Sequence, residues 1–329
     1  MRVAVVGRGF GERVVAPVFA ATEDCVVVDC VSARDESAIE AATNRPDVDL
    51  VSVHSPPFLH AQHVRLALRA GKAVLCDKPF ALDADEARAL EAEARDAGVI
   101  ALCNFEFRYA ADRSALRDLI AGGELGTVQH VQITRLSAGT RIPLRPWGWL
   151  FDRELGGGWV GAWGSHAVDT LRWLFGAEVA EVRALLRIDV RERPDAAGAL
   201  HRCTAEDGFS AALVLSNGVT VAIDSGFASV ANLAPRFTVL GTDAVAELVG
   251  EAQLTLRRAD HSRARIDIAE STDGDAHLAP MRRYAEVIRD AVTSGRVPAD
   301  AATFSDGRAC DEVLDRLRAA PFAPGVRLV

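Results

Sequence analysis

The chain contains 35 arginines but only two lysines, Lys72 and Lys78. A guanidinium stays charged, whereas an ammonium group is compact and can shift its pKa to share a proton with a substrate oxygen. Lys78 follows a short apolar run that ends at Asp77. We therefore consider Lys78 a candidate catalytic residue. A charge that reaches solvent from the end of a strand is the structural alternative.

A second candidate, His166, follows the glycine-rich stretch G-G-G-W-V-G-A-W-G-S at 156–165. The glycines give way to a predicted helix on which His166, Asp169 and Trp173 share one face. Because imidazole titrates near neutral pH, His166 could act as a general acid and base, with Asp169 orienting its ring. A glycine hinge followed by a buried histidine that is satisfied by Asp169 explains the same spacing.

The first glycine turn, G-R-G-F-G at 7–11, follows an apolar run at 2–6 and precedes a predicted helix. Gly7, Gly9 and Gly11, with Phe10 between them, would allow backbone amides to approach a pyrophosphate at the start of that helix. The usual G-x-G-x-x-G spacing would place the third glycine at Glu12. The motif is therefore less specific here, and an ordinary strand-to-helix turn is the alternative.

The end of the second predicted strand, 26–31, bears on the choice of dinucleotide. NAD-binding proteins often place an acidic residue there, which holds the ribose 2′-hydroxyl. This chain instead continues with Ser32, Ala33 and Arg34, and the side chains of Ser32 and Arg34 could accept a 2′-phosphate. We therefore predict NADP, with NAD as a possible cofactor. Asp35 adjoins Arg34, and a solvated loop charge is the alternative reading of Arg34.

Two further loops are predicted at the same edge of the sheet. Ser55, Pro56 and His60 lie in the loop after the third strand, and Asp77 and Lys78 end the fourth. Ligands of doubly wound folds bind at the carboxyl ends of the strands. We therefore count these residues among the cofactor-binding candidates. A rigid connection with His60 in solvent is the alternative.

The first 120 residues alternate strand and helix patterns with short connections, which is typical of a parallel sheet covered on both faces. The predicted strands are 2–6, 26–31, 50–53, 73–76 and 99–103, and the predicted helices are 12–21, 59–70 and 84–97. We assign 1–120 to a Rossmann dinucleotide-binding domain.

The pattern changes over 121–329, which we assign to a substrate-binding and oligomerisation domain of α+β type. Its predicted strands are 128–136, 179–190, 209–215, 219–225, 237–240 and 254–256, with terminal helices at 281–294 and 305–319. Asn217-Gly218 is typical of a hairpin turn. The fold class is therefore α/β, a doubly wound parallel sheet joined to an open-faced, mostly antiparallel sheet. The open face predicts a homodimer or homotetramer.

Composition limits the partners that we expect. A net charge of −9 and a pI of about 5.4 argue against nucleic acid. The six cysteines form no C-x-x-C pair, so we expect a reducing cytoplasm and no metal site. The amino-terminal apolar run is too short for a signal peptide, and no apolar stretch is long enough to span a membrane. A small-molecule substrate is the partner that these features favour.

The chain resembles the Gfo/Idh/MocA family, the glucose-fructose oxidoreductase and inositol dehydrogenase group, along most of its length. The resemblance rests on the order and spacing of motifs at 7–11, 47–51, 56–60, 70–79, 105–109 and 156–169. It implies a Rossmann domain, an open-faced sheet and NAD(P)-dependent oxidation or reduction at a sugar or cyclitol carbon. Lys78 matches the lysine of the family's E-K-P motif, and His166 matches its catalytic histidine.

These matches imply separate roles for His166 and Lys78 in hydride transfer. His166 would take or give the hydroxyl proton, and Lys78 would stabilise the developing oxyanion. Three positions depart from the family pattern: Asp77 replaces Glu, Ala162 replaces an Asp of the proton relay, and Glu106 replaces an Asn.

Candidate substrate-binding residues are Glu106, Arg108, Trp149 and Asp169. Trp149 could stack on a sugar, or it could be interdomain packing. The missing Asp also keeps other functions open: an NAD-dependent glycoside hydrolase, an imine or tetrapyrrole reductase, and a regulator that senses dinucleotide without catalysis.

Overall fold

The computed structural model describes residues 1–250, 252–268 and 275–323. Its strands are β1 (Arg2–Val6), β2 (Val26–Val31), β3 (Leu50–Val53), β4 (Ala73–Cys76), β5 (Ala101–Cys103), β6 (Val128–Leu136), β7 (Val179–Arg187), β8 (Glu192–Pro194), β9 (Leu200–Arg202), β10 (Gly208–Leu215), β11 (Thr220–Gly226), β12 (Arg236–Gly241), β13 (Ala244–Val249), β14 (Gln253–Arg258) and β15 (Arg263–Asp267). Its α-helices are α1 (Ala16–Ala21), α2 (Glu36–Thr43), α3 (His60–Arg69), α4 (Ala84–Ala97), α5 (Ala111–Ala121), α6 (Ser165–Phe175), α7 (Leu278–Ser294) and α8 (Phe304–Arg318). Within the described ranges, no helix has the length and apolar character needed to cross a membrane.

The chain folds into two compact units. The first contains residues 1–110 and the described part of 271–312, and the second contains the described part of 111–270 with 313–323. We predicted that 281–294 and the start of α8 belong to the second domain, but the structure places both in the first unit. The physical reason is apolar burial, because Met281, Tyr284 and Ile288 of α7 are fully buried in the same core as Val3 and Val5 of β1.

The first unit is built on a parallel sheet with the strand order β2-β1-β3-β4-β5. Val3 to Val6 are completely buried, as expected for a strand with both faces covered. The chain leaves β1 in one direction towards β2 and crosses back to place β3 on the other side. The carboxyl ends of β1 and β3 therefore flank a topological switch point, where ligands of such folds bind.

The second unit is built on an eight-stranded sheet with the order β15-β14-β13-β12-β6-β11-β10-β7. All neighbours are antiparallel except β6 and β11. Burial alternates along β11, where Val221, Ile223 and Ser225 are buried while Thr220 and Asp224 are exposed. One face is thus buried and the other is open, which confirms the predicted sheet type. A separate two-stranded ribbon joins β8 to β9.

Candidate functional site

The glycine turn after β1 contains two kinds of glycine. Gly7 has φ +121°, and an added Cβ would lie 2.3 Å from the His54 carbonyl oxygen. A Cβ on Gly11 would lie 3.0 Å from Val5 Cγ1 and 3.1 Å from His54 Cβ. A Cβ on Gly9 would meet nothing within 4 Å. Packing of β1 against the loop after β3 therefore requires Gly7 and Gly11, whereas Gly9 leaves space that a ligand can enter.

The unusual spacing of the third glycine has a structural explanation. The helix after the turn starts as a π-helical turn, Gly11–Val15, before α1. Gly11 is buried there, and Glu12, at the usual position of the third glycine, is exposed. Gly11 thus provides the close helix-to-strand approach for which this motif needs a glycine.

In the loop after β2, the Asp35 carboxylate is hydrogen-bonded within the protein, whereas Arg34 is exposed. Asp35 caps α2, because its Oδ1 accepts hydrogen bonds from Ala38 N at 3.1 Å and from the Ser37 hydroxyl at 2.8 Å. The backbone hydrogen bond from Ala38 is the main cause that lowers the pKa of Asp35, and the charge of Arg8 adds to it. Arg34 and Arg8 are both exposed. Sequence reasoning missed Arg8, which lies inside the glycine motif.

The loops after β3 and β4 are tied together by His60. This imidazole is 1% exposed; its Nε2 lies 2.7 Å from the Ser55 carbonyl oxygen and its Nδ1 lies 3.0 Å from the Pro79 carbonyl oxygen. The alternative that His60 points into solvent is therefore wrong. Nearby, His63 Nδ1 lies 3.0 Å from Ser55 Oγ. Burial lowers the pKa of His60 and lowers that of His63 to about 4.

Asp77 is held by residues on both sides of its strand. Its Oδ2 lies 3.1 Å from His54 Nδ1, and its Oδ1 accepts hydrogen bonds from Lys78 N at 2.9 Å and Asn104 Nδ2 at 3.4 Å. His54 Nε2 in turn lies 2.7 Å from Ser52 Oγ. Burial raises the pKa of Asp77, but the hydrogen bond and charge of His54 outweigh it and hold that pKa below its usual range. Sequence reasoning missed His54, which precedes the predicted Ser55.

Glu106 and Arg108 are both buried in the first unit. The Glu106 carboxylate is hydrogen-bonded to His277 Nδ1, and the His277 ring stacks on Phe107 with centroids 4.9 Å apart. Phe10 of the glycine turn packs edge-on against His277 at 5.0 Å.

Arg108 forms an ion pair with Asp306 at 3.0 Å. It also donates a hydrogen bond to the Asp300 carbonyl oxygen at 3.3 Å. These contacts tie the segment after β5 to the segments that flank and begin α8.

In the second unit, a buried carboxylate organises the entry to the histidine helix. Gly158 has φ +104°, and an added Cβ would lie 2.2 Å from Glu206 Oε1. The same oxygen accepts a hydrogen bond from Val160 N at 2.9 Å, at the start of the π-helical turn Val160–Gly164. Burial raises the pKa of Glu206. The glycine run thus lets Glu206 approach the backbone that leads into α6.

His166 and Asp169 lie on α6 and are 5% and 1% exposed, respectively. The helix face that carries His166 lines a cavity that opens to solvent. The lining residues are Arg113, Ile133, Thr134, Arg135, Trp163, His166, Ala167, Thr170, Pro235, Arg236, Phe237 and Leu248. Sequence reasoning found His166 but missed Trp163 and the three arginines of this cavity.

Three predicted positions of the second unit lie outside that lining. Asp169 is buried on α6, and Trp149 packs against the apolar cluster of Leu150, Phe151, Cys203 and Phe227. Ala162, where the family pattern has an aspartate, packs against the same apolar cluster. An alanine at this position is therefore compatible with its surroundings, since its neighbours are apolar.

Two family models match the chain. Residues 1–105 match the "oxidoreductase family, NAD-binding Rossmann fold" model, and residues 114–247 match the "GFO/IDH/MocA C-terminal domain" model. An uncharacterized oxidoreductase of Synechocystis is 33% identical over 68% of this chain and 65% of its own length. The 1,5-anhydro-D-fructose reductase of Ensifer adhaerens is 36% identical over 46% of this chain and 45% of its own. The matched part thus spans slightly less than two thirds of the first relative and less than half of the second.

Solved structures share the fold along nearly the whole chain. Levoglucosan dehydrogenase in complex with NADH superimposes with a TM-score of 0.84, covering 97% of this chain and 96% of its own at 19% sequence identity. This likeness confirms the α/β fold class, with a Rossmann sheet and a second, mostly antiparallel sheet.

Proposed function

Because the chain belongs to the Gfo/Idh/MocA oxidoreductase family, we propose that it transfers a hydride between a nicotinamide dinucleotide and a sugar, cyclitol or related carbon. The observation that carries this proposal is the glycine turn at the switch point of the parallel sheet. There Gly7 and Gly11 pack tightly while Gly9 leaves open space, and Lys78 follows a strand of the same sheet.

The first unit fits a dinucleotide. The open space at Gly9 admits a pyrophosphate beside the first amides of the following helix. We assign cofactor contacts to Gly7, Gly9, Phe10 and Gly11, and to Ser55 and Pro56 of the loop after β3. His60 and Asp77 support these contacts indirectly, because their side chains are hydrogen-bonded to the backbone of Ser55, Pro79 and Lys78.

Proton transfer and charge stabilisation are assigned to residues of this chain. The nicotinamide supplies or accepts the hydride. The His166 imidazole takes or gives the proton of the substrate hydroxyl, and the Lys78 ammonium stabilises the oxygen as negative charge develops on it. Glu106, Arg108, Trp149 and Asp169 remain proposed substrate-site residues. The ion pair of Arg108 with Asp306 and the hydrogen bond of Glu106 to His277 favour a supporting role for those two.

We further propose NADP as the preferred cofactor. The carboxylate of Asp35 is engaged as the cap of α2, so it does not compete for Arg34. Arg34, Ser32 and the exposed Arg8 offer two guanidinium groups and a hydroxyl where a 2′-phosphate would lie.

The decisive experiment titrates the purified protein with NADPH and with NADH by cofactor fluorescence, and then adds a panel of keto-sugars. Tight binding followed by loss of the absorbance of the reduced nicotinamide supports the oxidoreductase. Binding of neither cofactor contradicts the proposal. A glycoside hydrolase would instead retain its cofactor and show no net production of NAD(P)H, and a regulator would bind without turnover.

The open face of the second sheet favours a homodimer or homotetramer. Its exposed side chains include Gln132, Ala212 and Leu185, a mixed polar and apolar surface. Light scattering of the purified protein measures the oligomeric state, and a monomer at micromolar concentration contradicts this assignment. The free thiols of the six cysteines are compatible with a cytoplasmic location.

A further inference from the structure

Three hydrogen-bonded side chains meet at the carboxyl ends of β3 and β4. His54 directly follows β3, and Asp77 directly follows β4. The two strands are paired in parallel as far as Val53 and Cys76, so the next residues, His54 and Asp77, lie side by side. Ser52 lies two residues before His54 and therefore on the same face of β3. The register of the two strands thus brings a hydroxyl, an imidazole and a carboxylate together.

Both ring nitrogens of His54 have a partner. Nε2 lies 2.7 Å from Ser52 Oγ, and Nδ1 lies 3.1 Å from Asp77 Oδ2. The imidazole and Ser52 are both 0% exposed. Burying an imidazole costs more than burying an aliphatic side chain of similar size. What this ring contributes is therefore its hydrogen bonding, and the bond to the charged Asp77 is the stronger of the two.

The Asp77 carboxylate connects His54 to Lys78. Its other oxygen, Oδ1, accepts a hydrogen bond from the backbone amide of Lys78 at 2.9 Å. Burial raises the pKa of Asp77, but the hydrogen bond and charge of His54 bring it below its usual range, so the carboxylate stays ionised. Because both oxygens are held, the plane of the carboxylate is fixed, and the backbone at Lys78 is fixed with it.

His54 also contacts the glycine turn after β1. A Cβ on Gly7 would lie 2.3 Å from the His54 carbonyl oxygen, and a Cβ on Gly11 would lie 3.1 Å from His54 Cβ. The Phe10 ring packs on the imidazole with centroids 5.8 Å apart. One buried residue is thus packed against the turn to which we assign the cofactor and is hydrogen-bonded to the residue before Lys78.

We propose that His54 is a positioning residue, which sets the place of Lys78 relative to the bound dinucleotide through the Asp77 carboxylate. This inference rests on the function proposed above, in which the Lys78 ammonium stabilises the developing oxyanion. Displacing a group that takes part in the chemistry by about 1 Å can lower a rate about 10²-fold. His54 should therefore affect kcat much more than cofactor affinity.

Two amide variants separate the two ring nitrogens. The side-chain nitrogen of asparagine lies as many bonds from Cβ as Nδ1 does, and that of glutamine lies as many as Nε2 does. With NADPH and a keto-sugar that turns over, His54→Gln and His54→Leu should lower kcat about 10²-fold. His54→Asn should lower kcat less than about tenfold, because it can still donate to Asp77. The Kd for NADPH should change less than about threefold in each variant, since the His54 carbonyl near Gly7 remains.

A second measurement does not depend on turnover. Because Lys72 and Lys78 are the only lysines of the chain, isotope labelling of lysine nitrogen gives an NMR spectrum with two backbone amide signals. The Lys78 amide is bonded to Asp77, whereas the Lys72 amide, at the other end of β4, donates to the Ala67 carbonyl oxygen at 3.0 Å. His54→Leu and His54→Gln should speed hydrogen exchange of the Lys78 amide about tenfold and leave that of Lys72 unchanged. His54→Asn should keep the Lys78 exchange slow.

His201→Leu is the matched control, because it also removes a histidine that is paired with an aspartate. His201 lies on β9 in the second unit, and its Nε2 lies 2.8 Å from Asp195 Oδ2. This variant should change neither kcat nor the exchange of the Lys78 amide. Cooperative thermal unfolding and unchanged exchange of Lys72 show that each His54 variant is folded. If His54→Leu does not fold, the comparison of His54→Asn with His54→Gln decides.

The outcomes separate this inference from the proposed function. If His54→Asn and His54→Gln have the same kcat, or the same exchange rate at Lys78, the positioning role is overturned while the oxidoreductase stands. Exchange at Lys78 that is slow only with a donor to Asp77, in a protein that oxidises or reduces no sugar of the panel, supports the positioning role and counts against the oxidoreductase.

Discussion

The strand ends of the first unit and the cavity of the second unit differ in the side chains that surround their buried polar groups. Around the strand ends, the imidazoles of His54, His60 and His63 are hydrogen-bonded to Asp77, to Ser55 or to nearby carbonyl oxygens. The polar groups of these loops thus find their hydrogen-bond partners within the loops. The lining of the cavity instead brings the imidazole of His166 together with the aromatic side chains of Trp163 and Phe237.

The difference indicates where specificity lies. Loops whose polar groups are hydrogen-bonded to one another form a rigid frame. Such a frame suits a ligand that is the same in every turnover, such as a dinucleotide. A cavity lined by a few polar groups among apolar and aromatic side chains discriminates among ligands by shape and hydrogen bonding. The following predictions test the two regions, from the largest expected effect to the smallest.

Removing the ammonium group at the strand end should cost the most. We expect Lys78→Met to lower kcat about 10³-fold, because the developing oxyanion loses its positive charge, while NADPH affinity stays nearly unchanged. Steady-state kinetics and cofactor fluorescence measure the two quantities. A variant with full turnover would show that the strand ends bind cofactor without taking part in the chemistry.

Lys72 provides a matched control, as it is the other lysine of the chain. Its Nζ donates hydrogen bonds to the carbonyl oxygens of Arg45 and Val48, each at 2.8 Å. Lys72→Met should therefore lower the free energy of unfolding by about 2 kcal/mol and leave kcat unchanged.

The two kinds of glycine should respond differently to the same methyl group. Gly7→Ala should lower the free energy of unfolding by about 3 kcal/mol, because of its positive φ and the contact with His54. Gly9→Ala should change it by less than about 0.5 kcal/mol and weaken NADPH binding about tenfold. Urea unfolding and cofactor titration separate the effects. Equal loss of stability in both variants would mean that Gly9 is also a packing residue.

Acid should lower the free energy of unfolding through His63, which lies among the hydrogen-bonded loops at the strand ends. His63 stays neutral in the fold down to about pH 4, whereas the unfolded chain takes up its proton near pH 6.5. The unfolded state thus binds more protons between these values, and stability falls as the pH falls through them. We expect His63 to account for about 3 kcal/mol of this loss.

Urea unfolding at several pH values measures that slope. His63→Leu should be less stable at pH 7, because it leaves Ser55 Oγ without this partner, but it should show a shallower slope between pH 6.5 and 4. An unchanged slope would exclude His63 as the source of acid sensitivity.

The smallest expected effect concerns the choice of dinucleotide. Arg34→Ala should raise the Kd for NADPH about tenfold, since one charge-assisted contact to the 2′-phosphate is lost, and leave the Kd for NADH unchanged. Arg202→Ala, at an exposed position of β9, serves as the control. If the two cofactors weaken equally, Arg34 does not read the 2′-phosphate.

Much of the fold follows from local patterns of sequence. Continuous apolar runs predicted β1, β2, β3 and β4, and the order of motifs predicted the family. Helices α2 and α5 and the strands β8, β9, β13 and β15 were not predicted. For β13, A-V-A-E-L-V, the alternation is weak because its buried positions include two alanines. Its register depends on pairing with β12 and β14, which a local pattern does not contain.

Local sequence patterns located Lys78, Ser55 and Gly7 near strand ends, because each lies close to an apolar run whose burial is a local property. The tertiary structure alone decided that His54 holds Asp77, that Glu206 approaches Gly158, and that α7 returns to the first unit. It also gathered the arginines of the cavity from separate elements. The physical reason is that such contacts join residues far apart in the chain, so only the packing of the whole core selects them.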